Sequence, residues 1–151
     1  MKFEKETSAG YLVNHMARLF AKELQHRIAP LGIVVGQFPI LLELWLKDGV
    51  TQKDLLGKID VEQATLANTL NRMERDGLIK RTKNPADARA QLIWLTEKAA
   101  APRDSAYEAA QNVNADALGV LSVAERAQFM DYMRRTIDGM RSGSTDAASS
   151  E

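Results

Sequence analysis

The sequence contains no cysteine. That absence removes disulfide staples, thiolate metal sites, cysteine nucleophiles and any sensing by thiol oxidation. A long apolar run is missing too. The strongest stretch, Phe38 to Leu46, is interrupted by Pro39 and Glu43, and it falls far short of the ~20 residues a bilayer span needs. No membrane partner is expected. The opening Met1-Lys2-Phe3-Glu4-Lys5-Glu6 places acids where a secretory signal needs a basic start and then an apolar stretch, so a cytoplasmic location is expected. Net charge is the third absence. The 20 basic and 20 acidic residues cancel, so attraction to a polyanion has to come from local distribution. There is no Gly-rich phosphate loop, clustered metal-ligand set or serine elbow, which argues against an enzyme and against a cofactor.

What the 151 residues do contain is helical periodicity, in an amount that suits one domain or a small head set in a helical frame. Leu12, Met16, Leu19, Phe20 and Leu24 recur at helical spacing between about Ser8 and Ile28, with Pro30 and Gly32 as the stop. A second helix, about Gly36 to Lys47, is apolar on most sides and is expected at the centre of the fold. Asp48-Gly49 ends it.

Two helix starts then follow nine residues apart. Thr51-Gln52-Lys53-Asp54 is a capping-box start for a helix to about Ile59, and Asp60-Val61-Glu62-Gln63 repeats the signal for a helix to Asp76. So short a spacing leaves two turns of helix and a tight connection, the layout of a helix-turn-helix. Gly77 is placed as a left-handed cap, with Leu78 positioned to touch Met73 in a Schellman motif. Leu78–Thr82 and Gln91–Leu95 read as two short strands joined by Lys83–Ala90, a hairpin with a charged tip. Across it Lys80, Arg81, Lys83 and Arg89 stand against Asp87 alone. Helix resumes at Thr96 and continues to about Leu118 with a kink at Pro102. Ser122-Val123-Ala124-Glu125 is a capping box for a last helix to about Arg141. On it Val123, Met130 and Ile137 lie seven apart, with Met133 and Met140 three further on, a coiled-coil-like seam that Arg126 interrupts. From Ser142 the tail is too polar to pack and is expected to be disordered.

The fold class expected is therefore mainly α with a small β-hairpin wing. Residues 36–96 form a winged helix-turn-helix, 8–35 and 97–141 form a helical dimerisation region, and 142–151 form the tail. Three features stand out in this order. The first is the succession Thr51-Gln52-Lys53-Asp54-Leu55-Leu56, Ala64-Thr65-Leu66 and Leu70-Asn71-Arg72-Met73-Glu74-Arg75-Asp76-Gly77-Leu78-Ile79. The second is the wing Asp87-Ala88-Arg89, and the third is the closing Leu95-Thr96-Glu97-Lys98. On these features the chain resembles the MarR family of bacterial regulators. The resemblance implies a homodimer, a pseudo-palindromic operator in double-stranded DNA, and often a small lipophilic or phenolic effector bound between the reading head and the dimer layer. One departure is Asn68, where many relatives carry a basic residue.

Candidate DNA contacts follow from chemistry. A helix entering the major groove offers amides and hydroxyls to base edges and cations to phosphate, which marks Gln63, Ala64, Thr65, Asn68, Asn71 and Arg72. Gln63 competes for a second role as capping partner of Asp60. Arg89 is expected in a narrow minor groove with Asp87 holding it, against the plainer reading of Asp87 as a turn residue. Lys80, Arg81 and Lys83 are expected on phosphates. Met16, Phe20, Phe38 and Trp45 are candidate ligand-lining residues, although stripes of this kind are more often core. His15 and His26, eleven apart, carry no supporting ligands and read as structural rather than metal-binding. The competing function is a winged-helix module that binds a protein partner and no specific DNA; the basic wing argues against it.

Overall fold

Helix α1 (Ala9–Ile28) begins where the side chain of Ser8, in extended conformation, accepts a hydrogen bond from the Tyr11 amide. A 3-10 turn, Ala29–Leu31, extends it to Gly32, whose φ of 76° reverses the chain in a region that a side chain would strain. Gln25 ties down the returning chain by accepting from the Val35 amide at 2.8 Å. Helix α2 (Phe38–Leu46) carries Pro39 in its first turn, where the missing N–H has no intrahelical partner to lose. It buries Phe38, Ile40, Leu41, Leu44 and Trp45. The computed structural model describes residues 1–148.

Helix α3 (Gln52–Ile59) has both bonds of the expected capping box: Asp54 N donates to Thr51 Oγ1 at 3.1 Å and Thr51 N donates to Asp54 Oδ2 at 2.9 Å. Helix α4 (Gln63–Arg75) starts differently from the expectation. Asp60 is not its cap but closes α3 in the left-handed conformation at φ 50°, and α4 is preceded by Glu62 with no side-chain cap bond. Reversing direction within three residues requires one left-handed position, and aspartate tolerates it better than most side chains. Gln63 is thereby relieved of the capping role. The far end of α4 is a full Schellman closure. Leu78 N donates to Met73 O at 2.8 Å and Gly77 N to Glu74 O at 3.1 Å, with Gly77 at φ 75°.

Strands β1 (Ile79–Asn84) and β2 (Asp87–Leu95) form an antiparallel ribbon from Ile79↔Leu95 to Lys83↔Gln91, with an irregularity before Asn84↔Asp87. Both run further than the strands read from sequence, and the expected eight-residue loop shrinks to a turn at Pro85-Ala86. A ribbon wet on both faces near its tip needs no apolar alternation, so the residue pattern there carries no strand signal. A single bridge, Val50↔Ile93, adds a rung on the other edge of β2.

The expected kinked segment divides into α5 (Glu97–Ala100) and α6 (Arg103–Ala117), broken at Ala101-Pro102. The core gathers Ile28 and Ile33, α2, Leu55, Leu66, Leu70, Met73, Leu78, Ile79, Ile93, Ala99 and Ala106. It belongs to one compact unit, Met1–Val113. Leu12 and Leu19 of α1 stay exposed, while Met16, Phe20 and Leu24 are half-buried.

A second unit begins at Asn114. It holds a 3-10 turn, Leu118–Val120, and helix α7 (Val123–Ala148). Its capping box is formed as expected, with Ser122 N donating to Glu125 Oε1 at 2.8 Å and Glu125 N to Ser122 Oγ at 3.1 Å. Hydrogen bonding from Ser122, first through its backbone N–H and then through its side chain, holds the Glu125 carboxyl below its usual pKa. Helix α7 does not stop at Arg141 but continues through Ala148, so residues 142–148 are helical where a disordered tail was expected. Ser and Thr lower helix propensity by only tenths of a kcal/mol each, too little to end a helix already under way; residues 149–151 lie outside the described residues. Val123, Ile137 and Met140 are exposed, and Met130 and Met133 are half-buried. Among the described residues no single helix is long and apolar enough to cross a membrane.

Candidate nucleic-acid interface

Helix α4 is divided lengthwise by its sequence. Leu66, Leu70 and Met73 are buried, while Gln63, Ala64, Thr65, Asn68, Asn71 and Arg72 are all exposed. Its C-terminal end is fixed by more than the Schellman bonds. Thr96 Oγ1 donates to Gly77 O at 2.6 Å, Thr96 N to Leu78 O at 3.0 Å, and Lys98 Nζ to Asp76 O at 2.7 Å. Orphan carbonyls at the end of a helix are thus met by a hydroxyl and a cation, the latter also favourable toward the helix dipole. The Asp76 carboxyl lies below its usual pKa, chiefly through the hydrogen bond from Arg75 and in lesser part through Gln37 and Lys98.

The wing is rooted in the same region. Asp48 Oδ2 accepts from Leu95 N at 3.0 Å, Gly49 N donates to Ile93 O at 2.7 Å, and Trp94 Nε1 donates to Thr82 Oγ1 at 2.8 Å. None of Asp48, Gly49, Thr82, Trp94, Thr96 or Lys98 stands out in the sequence as part of a binding surface. The one available signal was the closing Thr96-Glu97-Lys98 motif, which periodicity reads only as a helix start.

Toward the tip, the residues expected on DNA separate. Lys80 and Lys83 are exposed on β1, and the Arg89 side chain is 94% exposed. Asp87 Oδ1 accepts from Arg89 N at 3.0 Å and lies 3.5 Å from Arg89 Nε. It is therefore a turn-forming residue first, with a long contact to the guanidinium second. Arg81 differs from its neighbours: its side chain is 19% exposed, and its Nη1 lies 3.1 Å from Asn71 Oδ1 and 4.0 Å from Glu74 Oε1 on α4. Between the first turn of α3 and the wing lies an open groove of about 560 Å³ edged by Gln52, Lys53, Arg81, Asn84, Arg89 and Gln91.

The candidate ligand-lining residues divide too. Phe38 and Trp45 meet edge to face at 6.0 Å, Trp45 meets Tyr107 at 5.5 Å, and the buried indole N–H donates to Ala99 O at 2.8 Å, so both serve the core. Met16 and Phe20 are half-buried on α1. His15 packs on the Tyr11 ring at 5.9 Å, and His26 is exposed on the same helix.

Residues 34–90, the span from the entry to α2 into the start of β2, match the model of the MarR family. The transcriptional regulator HosA of Escherichia coli O111:H- is 32% identical over 102 residues, which cover 68% of this chain and 76% of that protein. This chain belongs to the MarR family of transcriptional regulators. Two solved structures show the same fold. PcaV of Streptomyces coelicolor, in complex with its natural ligand, superposes with a TM-score of 0.81 at 22% identity over 91% of this chain and 97% of its own. A mutant of MarR from E. coli, complexed with operator DNA, gives 0.78 at 23% over 84% and 91%. As in this MarR-family chain, the curated relatives are regulators of transcription and not enzymes.

Proposed function

We propose that this MarR-family regulator is a homodimeric repressor that binds a pseudo-palindromic operator with α4 in the major groove and the wing beside it. One observation carries the reading. The exposed amides and hydroxyl of α4 and the exposed cations Lys80, Lys83 and Arg89 are held on one rigid scaffold, next to a groove of about 560 Å³. Gln63, Ala64, Thr65, Asn68 and Asn71 face base edges, while Arg72, Lys80 and Lys83 meet phosphates. Arg89 enters the flanking minor groove with Asp87 shaping the turn beneath it. The MarR–operator complex supports DNA binding by this fold.

Dimerisation is assigned to residues 8–35 and 97–141. It is supported by the apolar side chains left exposed there, Leu12 and Leu19 on α1 and Val123, Ile137 and Met140 on α7. A small lipophilic or phenolic effector belongs to the same reading, supported by PcaV and its ligand, with Met16 and Phe20 as the accessible pair. A regulator acting on the chromosome works in the cytoplasm. Genome-wide mapping of bound sites, with sedimentation of the free protein, tests the proposal. The expected result is a dimer on inverted half-sites ~10 base pairs apart, the spacing at which a two-fold dimer meets successive major grooves. A monomer, or one asymmetric half-site, overturns it.

A further inference from the structure

The geometry points to Arg81 as a positioning residue that holds the Asn71 amide with its NH2 outward, so that Asn71 selects keto bases, guanine or thymine. The inference rests on the DNA-binding reading above and deepens it. Asn71 and Glu74 lie three apart on one flank of α4, and the Arg81 guanidinium, brought up by β1, bridges them at 3.1 Å and 4.0 Å. A guanidinium only donates hydrogen bonds, whereas an amide has one accepting oxygen and one donating NH2. Turning the amide over would set N–H against N–H. The charged donor therefore fixes which end of Asn71 faces out.

The consequence is chemical. In the major groove guanine presents two acceptors and thymine one, cytosine presents a donor, and adenine pairs a donor with an acceptor. The usual bidentate contact of asparagine with adenine uses both ends of the amide. With the oxygen engaged by Arg81, the outward NH2 is matched by O6 and N7 of guanine or O4 of thymine, whereas adenine offers it N7 alone, beside an N6–H2 donor left facing the amide without its acceptor. Asn68, one turn earlier and exposed, has no side-chain hydrogen bond among the described residues. Its amide turns either way, and it serves as an internal control. Arg81 accordingly acts through Asn71, whereas Lys80 and Lys83 remain free for phosphate.

Selection from a randomised duplex by the full chain, followed by titration of single-base variants, tests this. The position read by Asn71 is the one whose preference Asn71→Ala blurs. Wild type should favour guanine or thymine there by roughly tenfold over adenine and cytosine. Arg81→Met should cut that ratio to roughly threefold or less by letting the amide turn, and should leave the Asn68 position unchanged. Arg81→Lys, still donor-only, should keep the preference. Asn71→Asp, which only accepts, should invert it toward cytosine or adenine. That variant leaves the guanidinium paired, so its inversion decides the matter even if Arg81→Met fails to fold by circular dichroism. The inference is overturned if wild type prefers adenine or cytosine there, or if Asn71→Ala blurs no position. It is also overturned if Arg81→Met weakens every duplex alike and lowers the salt slope by about one, as a phosphate contact would. Failure of wild type to enrich any sequence is a different outcome: it removes the DNA-binding reading and this inference with it.

Discussion

Gly49→Ala probes the joint between the wing and the rest of the head. Gly49 sits at φ +69°, and a Cβ added there would lie 2.6 Å from Trp94 Cη2 and 2.8 Å from Cζ3. Two costs follow. The left-handed conformation costs an alanine ~1–2 kcal/mol, and forcing a methyl group against a packed ring costs ~1–3 kcal/mol. The indole cannot slide away freely, because its Nε1 donates to Thr82 Oγ1 at 2.8 Å, while Gly49 N is pinned to Ile93 O at 2.7 Å. The two contributions together come to roughly 2–5 kcal/mol. In urea unfolding at fixed protein concentration the midpoint should fall by ~1 M or more, given slopes of ~1–3 kcal/mol/M. Gly57→Ala is the matched control: that glycine lies inside α3 with nothing within 4 Å of its added Cβ, so the change should stabilise by ~0.5–1 kcal/mol. Trimming the ring in Trp94→Val should make the Gly49→Ala cost smaller, a non-additivity expected only if the clash is real. A midpoint for Gly49→Ala within ~0.3 M of wild type would refute both the strain and the contact.

Three further outcomes are expected. Trp45→Phe removes the buried N–H that meets Ala99 O at 2.8 Å; thermal melts should show a loss of ~1–3 kcal/mol, and a loss indistinguishable from zero would mean another donor takes over the carbonyl. The two hydrogen bonds with Thr51 hold the Asp54 carboxyl below its ordinary value of 3.8. Its stabilising contribution is therefore complete above that value and lost as pH falls through the lowered folded one. Asp54→Ala should differ from wild type fully at pH 7 and converge on it in acid; a gap that persists at the lowest pH refutes the assignment. On DNA, Lys83→Ala should weaken all duplexes equally and lower the salt slope by about one, whereas Asn68→Ala should cost ~1–3 kcal/mol on the operator and little on random sequence. Titrations at two salt concentrations separate the two patterns.

Helix boundaries set by backbone chemistry were legible from residues alone. The Thr51–Asp54 box, the Ser122–Glu125 box and the Gly77 cap each depend on a local bond between residues at most five apart, and all are present. Asp60 was misread for an instructive reason. A short acid before a polar helix fits an N-cap and a left-handed C-cap equally well, and only the length of the connection decides between them. The wing was seen, but at too short a length, because ladder bonds between Lys83 and Gln91 leave no trace in polarity. The faces of α4 followed from periodicity, whereas the Arg81–Asn71 contact joins residues ten apart on different elements and is invisible to any local pattern.

That invisible contact belongs to a set with a common purpose. A two-stranded ribbon has almost no core of its own, so its orientation must come from contacts at its root. Beside the buried Ile79 and Ile93, the contacts that give direction there are polar: Asp48 to Leu95, Gly49 to Ile93, Thr96 to Gly77, and Arg81 to Asn71. Each joins the hairpin or its exit to α4 or to the turn before α3, so the angle between helix and wing is set before any ligand arrives. A protein that reads two grooves at once benefits directly, because segments already ordered lose less entropy on binding. The distinction between the two wing arginines follows from the same division. Arg81, 19% exposed, maintains that angle, and Arg89, 94% exposed, is left free to make contact. Exposure therefore separates them where charge and sequence position do not.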